Sequence, residues 1–151
     1  MVFLVFAIVL YFGLLGIIKS IRKSNLIKKG IIVKREKAFW KKKECFLTAS
    51  SPETIRNAVE QTDLSDIGIS VFRNNNEECR FTFQNGYMIS ADLKYNGREN
   101  GKYLYSFMFT SWNTSFFVVE GQINMNRLLT CIERIIIALD PETVIEKSKK
   151  K

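Results

Sequence analysis

Residues 2–18 show no alternation of apolar and polar positions: thirteen are Val, Leu, Ile or Phe, joined by Ala7, Tyr11, Gly13 and Gly16, with no charge and no proline. A helix that is apolar on every face does not lie on the surface of a small domain. At about 1.5 Å per residue the run extends about 26 Å, near the ~30 Å of a hydrocarbon core, with Lys19 placed to snorkel across the remainder. No basic residue precedes it and no small-residue cleavage site follows, so it does not read as a cleaved signal peptide. The expectation is a single-pass transmembrane anchor over residues 1–21. Lys19, Arg22, Lys23, Lys28 and Lys29 all follow the run. The positive-inside rule then predicts a cell-membrane protein with its N-terminus outside and the following domain in the cytoplasm.

Residues 22–43 interleave cations with Leu26, Ile27, Ile31, Ile32, Val33, Phe39 and Trp40, and read as a basic juxtamembrane linker. Beyond them the pattern becomes that of a folded domain over 44–141. Residues 44–49 alternate as a strand. Ser50 or Ser51 caps a helix with Pro52 in its first turn, and Ile55, Ala58, Val59 and Thr62 recur at helical spacing to Asp63. Ile67, Ile69 and Val71 predict a second strand, closed by Asn74-Asn75-Asn76. Cys79, Phe81 and Phe83 then alternate toward Asn85-Gly86, which suits a two-residue type I′ turn, and Tyr87, Ile89, Ala91, Leu93 and Tyr95 form the returning strand. A loop over 96–101 leads to a strand through Tyr103, Tyr105, Phe107 and Phe109, with a short further strand over 116–119.

From a cap at Asn124, the stripe Met125, Leu128, Leu129, Ile132, Ile135, Ile136 and Leu139 predicts a second helix that Asp140-Pro141 ends. The fold class is therefore α+β: after the transmembrane helix, a two-layer domain with an antiparallel meander of four to six strands and two helices on one face. Residues 142–151 read as a frayed basic tail.

The net charge of +8 changes meaning once it is placed: residues 19–43 carry +10, residues 44–146 carry −6 and residues 147–151 carry +4. The domain is acidic and its flanks are basic, so nucleic acid is not the expected partner, because the domain would repel phosphates. Lys19, Arg22, Lys23, Lys28, Lys29, Lys41, Lys42 and Lys43 are the candidate membrane-surface cations, and they either dock the domain on anionic lipid or only set topology.

The chain has no histidine, which removes the usual general base, neutral metal ligand and pH switch. Cys45, Cys79 and Cys131 are odd in number and without metal-ligand spacing, and read as reduced apolar residues. No phosphate loop occurs, the serines lack a partner base, and the acid pairs sit in loops. Neither catalytic residues, nor a metal, nor a cofactor, nor a small-molecule substrate is expected. The strand aromatics read as core and not as a base-stacking platform. Trp112, Asn113 and Thr114 form the most unusual turn, either a recognition loop or a tryptophan folded onto the sheet edge. The frequency of Lys, Asn and Ile suggests an AT-rich bacterial source. The expected function is a tethered protein-binding or scaffolding domain, an accessory subunit of a membrane assembly. The alternative is an anionic-lipid- or nucleic-acid-responsive module acting through the basic segment.

Overall fold

The computed structural model describes residues 2–86, 88–115 and 118–149, with the side chains of residues 2–6, 148 and 149 outside that description. Tyr87, Phe116 and Phe117, expected in strands, and the last two lysines of the expected tail lie outside the described residues. The chain divides into two compact units, Met1–Lys34 and Arg35–Lys151.

The first unit is built on one helix, α1 (Val2–Lys28). It ends where Gly30 takes a left-handed φ of 68° and two backbone bonds close the last turn, Gly30 N–H to Ile27 and Ile31 N–H to Leu26, both at 2.9 Å. This is a Schellman stop, which needs a residue without Cβ strain at that position. Among the described residues no helix is long and apolar enough to cross a membrane. That finding overturns the expected transmembrane anchor, and with it the single-pass membrane localisation and the orientation derived from it. The physical reason is length. Lys19, Arg22, Lys23 and Lys28 all lie inside α1 and are exposed. The uncharged stretch of α1 ends at Ile18, before Lys19, and its residues extend about 26 Å against the ~30 Å of a hydrocarbon core.

The second unit is α+β. Its elements are β1 (Lys42–Thr48), α2 (Pro52–Glu60), β2 (Ser70–Arg73), β3 (Arg80–Asn85), β4 (Ile89–Glu99), β5 (Lys102–Trp112), β6 (Thr114–Ser115), β7 (Val118–Val119), α3 (Gln122–Leu139) and β8 (Val144–Lys149). The main sheet has six antiparallel strands in the order β2-β3-β4-β5-β1-β8, and β6 with β7 form a separate small ribbon. The inner face carries Phe46, Phe81, Phe83, Ile89, Ala91, Leu93, Tyr105, Phe107 and Phe109, all buried against Ile55 and Val59 of α2 and Met125, Leu128, Leu129, Ile132 and Ile136 of α3. Both helices therefore cover one face, as the apolar periodicities require.

Local differences from the sequence reading have definite causes. The 142–151 segment is no frayed tail: Val144–Lys149 pairs with β1 from Leu47↔Val144 to Lys42↔Lys149. Helix α3 begins at Gln122, after Gly121 with φ 68°, and not at Asn124. Ile67 lies in a 3-10 turn over Ser65–Ile67, and β2 starts only at Ser70. The loop expected over 96–101 is mostly strand, since β4 continues to Glu99 through a register shift between Tyr95 and Arg98.

The Asn85-Gly86 hairpin forms, yet not through a two-residue turn. Asn85 pairs with Ile89, so three positions and not two separate the last paired residues. A two-residue loop would have set Phe83 opposite Met88 and turned Ser90 and Asp92 into the core, because a one-residue slip exchanges the faces of a strand. The type I′ conformation occurs instead at Asn100-Gly101, with φ of 50° and 80°, between the paired Glu99 and Lys102.

Candidate functional site

Two features stand out from the folded chain, one exposed and one buried. The exposed one is the surface of α1. Five consecutive residues, Ile8, Val9, Leu10, Tyr11 and Phe12, are each 47–64% exposed, and at about 100° per residue they sample the whole circumference of the helix. Leu14, Ile17, Ile18 and Ile21 continue this surface at 56–58%. Lys19, Arg22, Lys23, Lys28 and Lys29 are exposed in the C-terminal half of the same helix and just beyond it. A shallow open concavity of about 400 Å3 runs along this part of the unit, lined mainly by Ile18, Ile21, Leu26 and Ile31 with Arg22 and Lys29 at its margin.

The other three candidate cations do not form a single patch. Lys42 and Lys43 are neighbours in β1 and therefore point to opposite faces of the sheet. Lys42 is paired with Glu36 at 2.5 Å, which holds the Glu36 carboxyl below its usual range. Lys41 is exposed at the end of the 3-10 turn Phe39–Lys41. Trp112 ends β5 and packs partly buried against the core, while Asn113 and Thr114 are exposed, with Asn113 N–H bonded to the Met88 carbonyl. Phe81 and Phe83 of β3 and Tyr105, Phe107 and Phe109 of β5 are buried, so these rings offer no stacking surface for bases.

The buried feature was not singled out from sequence. Arg35, which reads as one more cation of a basic run, has a side chain only 3% exposed. Its guanidinium makes a paired contact with Glu133 of α3, Nη1 to Oε1 at 3.0 Å and Nη2 to Oε2 at 2.6 Å. Nε donates to Asn126 Oδ1 at 2.9 Å, Nη2 to Thr130 Oγ1 at 3.2 Å and Nη1 to Glu44 Oε1 at 3.4 Å. Three α3 residues take part because positions 126, 130 and 133 lie on one helical stripe. That stripe flanks the apolar one, and its spacing was the available signal.

Glu44 sits on the inner face of β1, opposite Phe107 of β5 and Lys147 of β8. Lys147 Nζ lies 3.3 Å from its Oε1, while its Oε2 is buried with no hydrogen-bond partner. Burial, and next the Glu133 carboxylate beside it, push the Glu44 carboxyl up to about 7, against the opposing pull of Lys147 and Arg35.

The cluster lies among β1, α3 and the segment before β1, and the side chain of every group but Lys147 is nearly or wholly buried. Among the described residues no group of His, Cys, Asp and Glu side chains is arranged to hold a metal ion. The Cys79 thiol is pushed up to about 11 by burial, which keeps it a packing residue and not a nucleophile. No protein-family model, curated protein or solved structure matches the chain.

Proposed function

We propose that this chain is a protein-binding module, an accessory component of a larger assembly, and that α1 is the element through which it docks. The supporting observation is the exposed apolar circumference of α1. A helix apolar on every side is stable in water only when other surfaces surround it, and among the described residues no helix is long and apolar enough to cross a bilayer. A protein groove is the remaining cover. The charge distribution narrows its chemistry: an apolar cleft for residues 8–18 with acidic side chains at the mouth where Lys19, Arg22, Lys23, Lys28 and Lys29 emerge. The role is binding and not catalysis, in keeping with an ionisable cluster that is buried.

The test is photo-crosslinking of the full-length chain in cells, with a photoreactive amino acid in place of Phe12. The expected result is a discrete protein adduct that disappears when Leu14→Asp is added and weakens when Lys19, Arg22 and Lys23 are changed to Glu. Unfolding of the 35–151 unit stays unchanged in both variants. Adducts to lipid or nucleic acid alone, or a protein adduct indifferent to Leu14→Asp, would overturn the reading.

A further inference from the structure

The joint around Arg35 contains more buried acid than it has buried cation to match. Two carboxyl groups, Glu44 from β1 and Glu133 from α3, converge on one guanidinium, and Arg35 Nη1 contacts both. Glu133 holds the paired contact and the shorter distances, leaving Glu44 with a single long one. The other cation that faces Glu44, Lys147 on β8, is half-exposed and so partly satisfied by water. The residue opposite Glu44 on β5 is Phe107, which is uncharged, and the nearby Lys42 is engaged by Glu36. One oxygen of Glu44 is buried with nothing to solvate it. A carboxylate in that position is costly, whereas a carboxylic acid is not.

We propose that Glu44 holds a proton beneath Arg35, beside the Glu133 carboxylate, and that this joint of β1, α3 and the preceding segment is a proton-sensitive clasp. With the proton bound to Glu44, the buried charges reduce to one anion on Glu133 and one cation on Arg35. When the proton leaves to solvent, two buried anions share one guanidinium. The clasp is then loosened by the repulsion between them, and among the described residues Lys147 is the only further cation facing Glu44.

The direction of the pH dependence follows from linkage. The carboxyl of Glu44 rises from 4.5 to about 7 on folding, so between these values the folded chain binds the proton more tightly than the unfolded one. Stability is therefore greatest on the acid side of that window, falls as pH rises through it, and is level above it. The carboxyls held low, Asp63 by its backbone bond from Ser65, Glu77 by Arg80 and Asp140 by Ala49, act below the window and leave its slope untouched.

The experiment is denaturant unfolding of the full-length chain between pH 5 and pH 8, for the natural sequence and for Glu44→Gln. The natural chain is expected to lose roughly 50-fold in its folding equilibrium constant across that range. The glutamine variant, which stays neutral, is expected to show a flat profile and to be the more stable of the two at pH 8. Should Glu44→Gln not fold, carboxyl carbon NMR of the natural chain reads the same quantity, with the Glu44 signal titrating near neutrality. Parallel pH profiles for the two proteins, or a Glu44 signal that titrates with the exposed glutamates, would overturn the proposal.

Discussion

Arg35 shows how far a residue's role depends on burial. By sequence it belongs to a run of cations that set the charge of the chain, and in the fold it is a core residue that carries five hydrogen bonds. Replacing it with Met keeps the volume and removes the charge, leaving Glu133 buried without its partner. Arg35→Met is expected to destabilise the domain by about 3–5 kcal/mol, measured by urea unfolding at pH 7. Arg35→Lys is expected to recover only part of this, since an ammonium cannot reproduce the paired contact. None of this was legible beforehand. A basic run gives no hint of which member turns inward, and Glu44 looked like the first residue of a strand. Only the Asn126, Thr130 and Glu133 spacing carried information, and the stronger apolar stripe beside it concealed it.

At the scale of elements, periodicity was the reliable guide. The alternation in β3, β4 and β5 and the helical repeats in α2 and α3 place the core residues where they are found. Ends and turns were less legible because they depend on pairing partners that local patterns do not contain. The three Asn-Gly pairs are chemically alike, yet only Asn100-Gly101 forms the two-residue turn; Asn96-Gly97 lies within β4, and at Asn85 the burial of Ile89, Ala91 and Leu93 dictates the register. Asn85 instead stays extended and donates its side-chain amide to the Ile67 carbonyl at 3.0 Å. The start of α3 has a similar cause. Gly121 holds a left-handed conformation, and a Cβ there would lie 2.8 Å from Ile89 Cδ1. Gly121→Ala therefore combines backbone strain with a clash against a buried side chain. A loss of about 1–2 kcal/mol is expected in equilibrium unfolding, whereas Gly86→Ala, with nothing near its Cβ, incurs the backbone term alone.

At the scale of the whole chain, the α+β class, an antiparallel sheet and the placement of both domain helices on one face were readable from sequence, while the strand β8, read as a tail, its place beside β1 and the membrane span were not. A composition rule counts apolar residues, but a span also needs length, and the uncharged stretch of α1 stops at Lys19. The division into two units makes a separate prediction. In limited trypsin digestion, cleavage is expected after the exposed Lys28, Lys29 and Lys34, whereas the bond after the buried Arg35 resists. The product beginning at Arg35 should unfold cooperatively with the same midpoint as the domain in the intact chain. Rapid cleavage after Arg35 would contradict its place in the core. The pairing of β8 with β1 bears on how the molecule is made. β1 is the first strand to leave the ribosome, but its neighbours are β5 and β8, and Lys42 must wait for Lys149. At 5–20 residues per second, a delay of about 5–20 s separates the two. The sheet therefore cannot be completed until β8 has been made, and a polypeptide stalled short of Val144 carries an open edge on which another nascent strand can template.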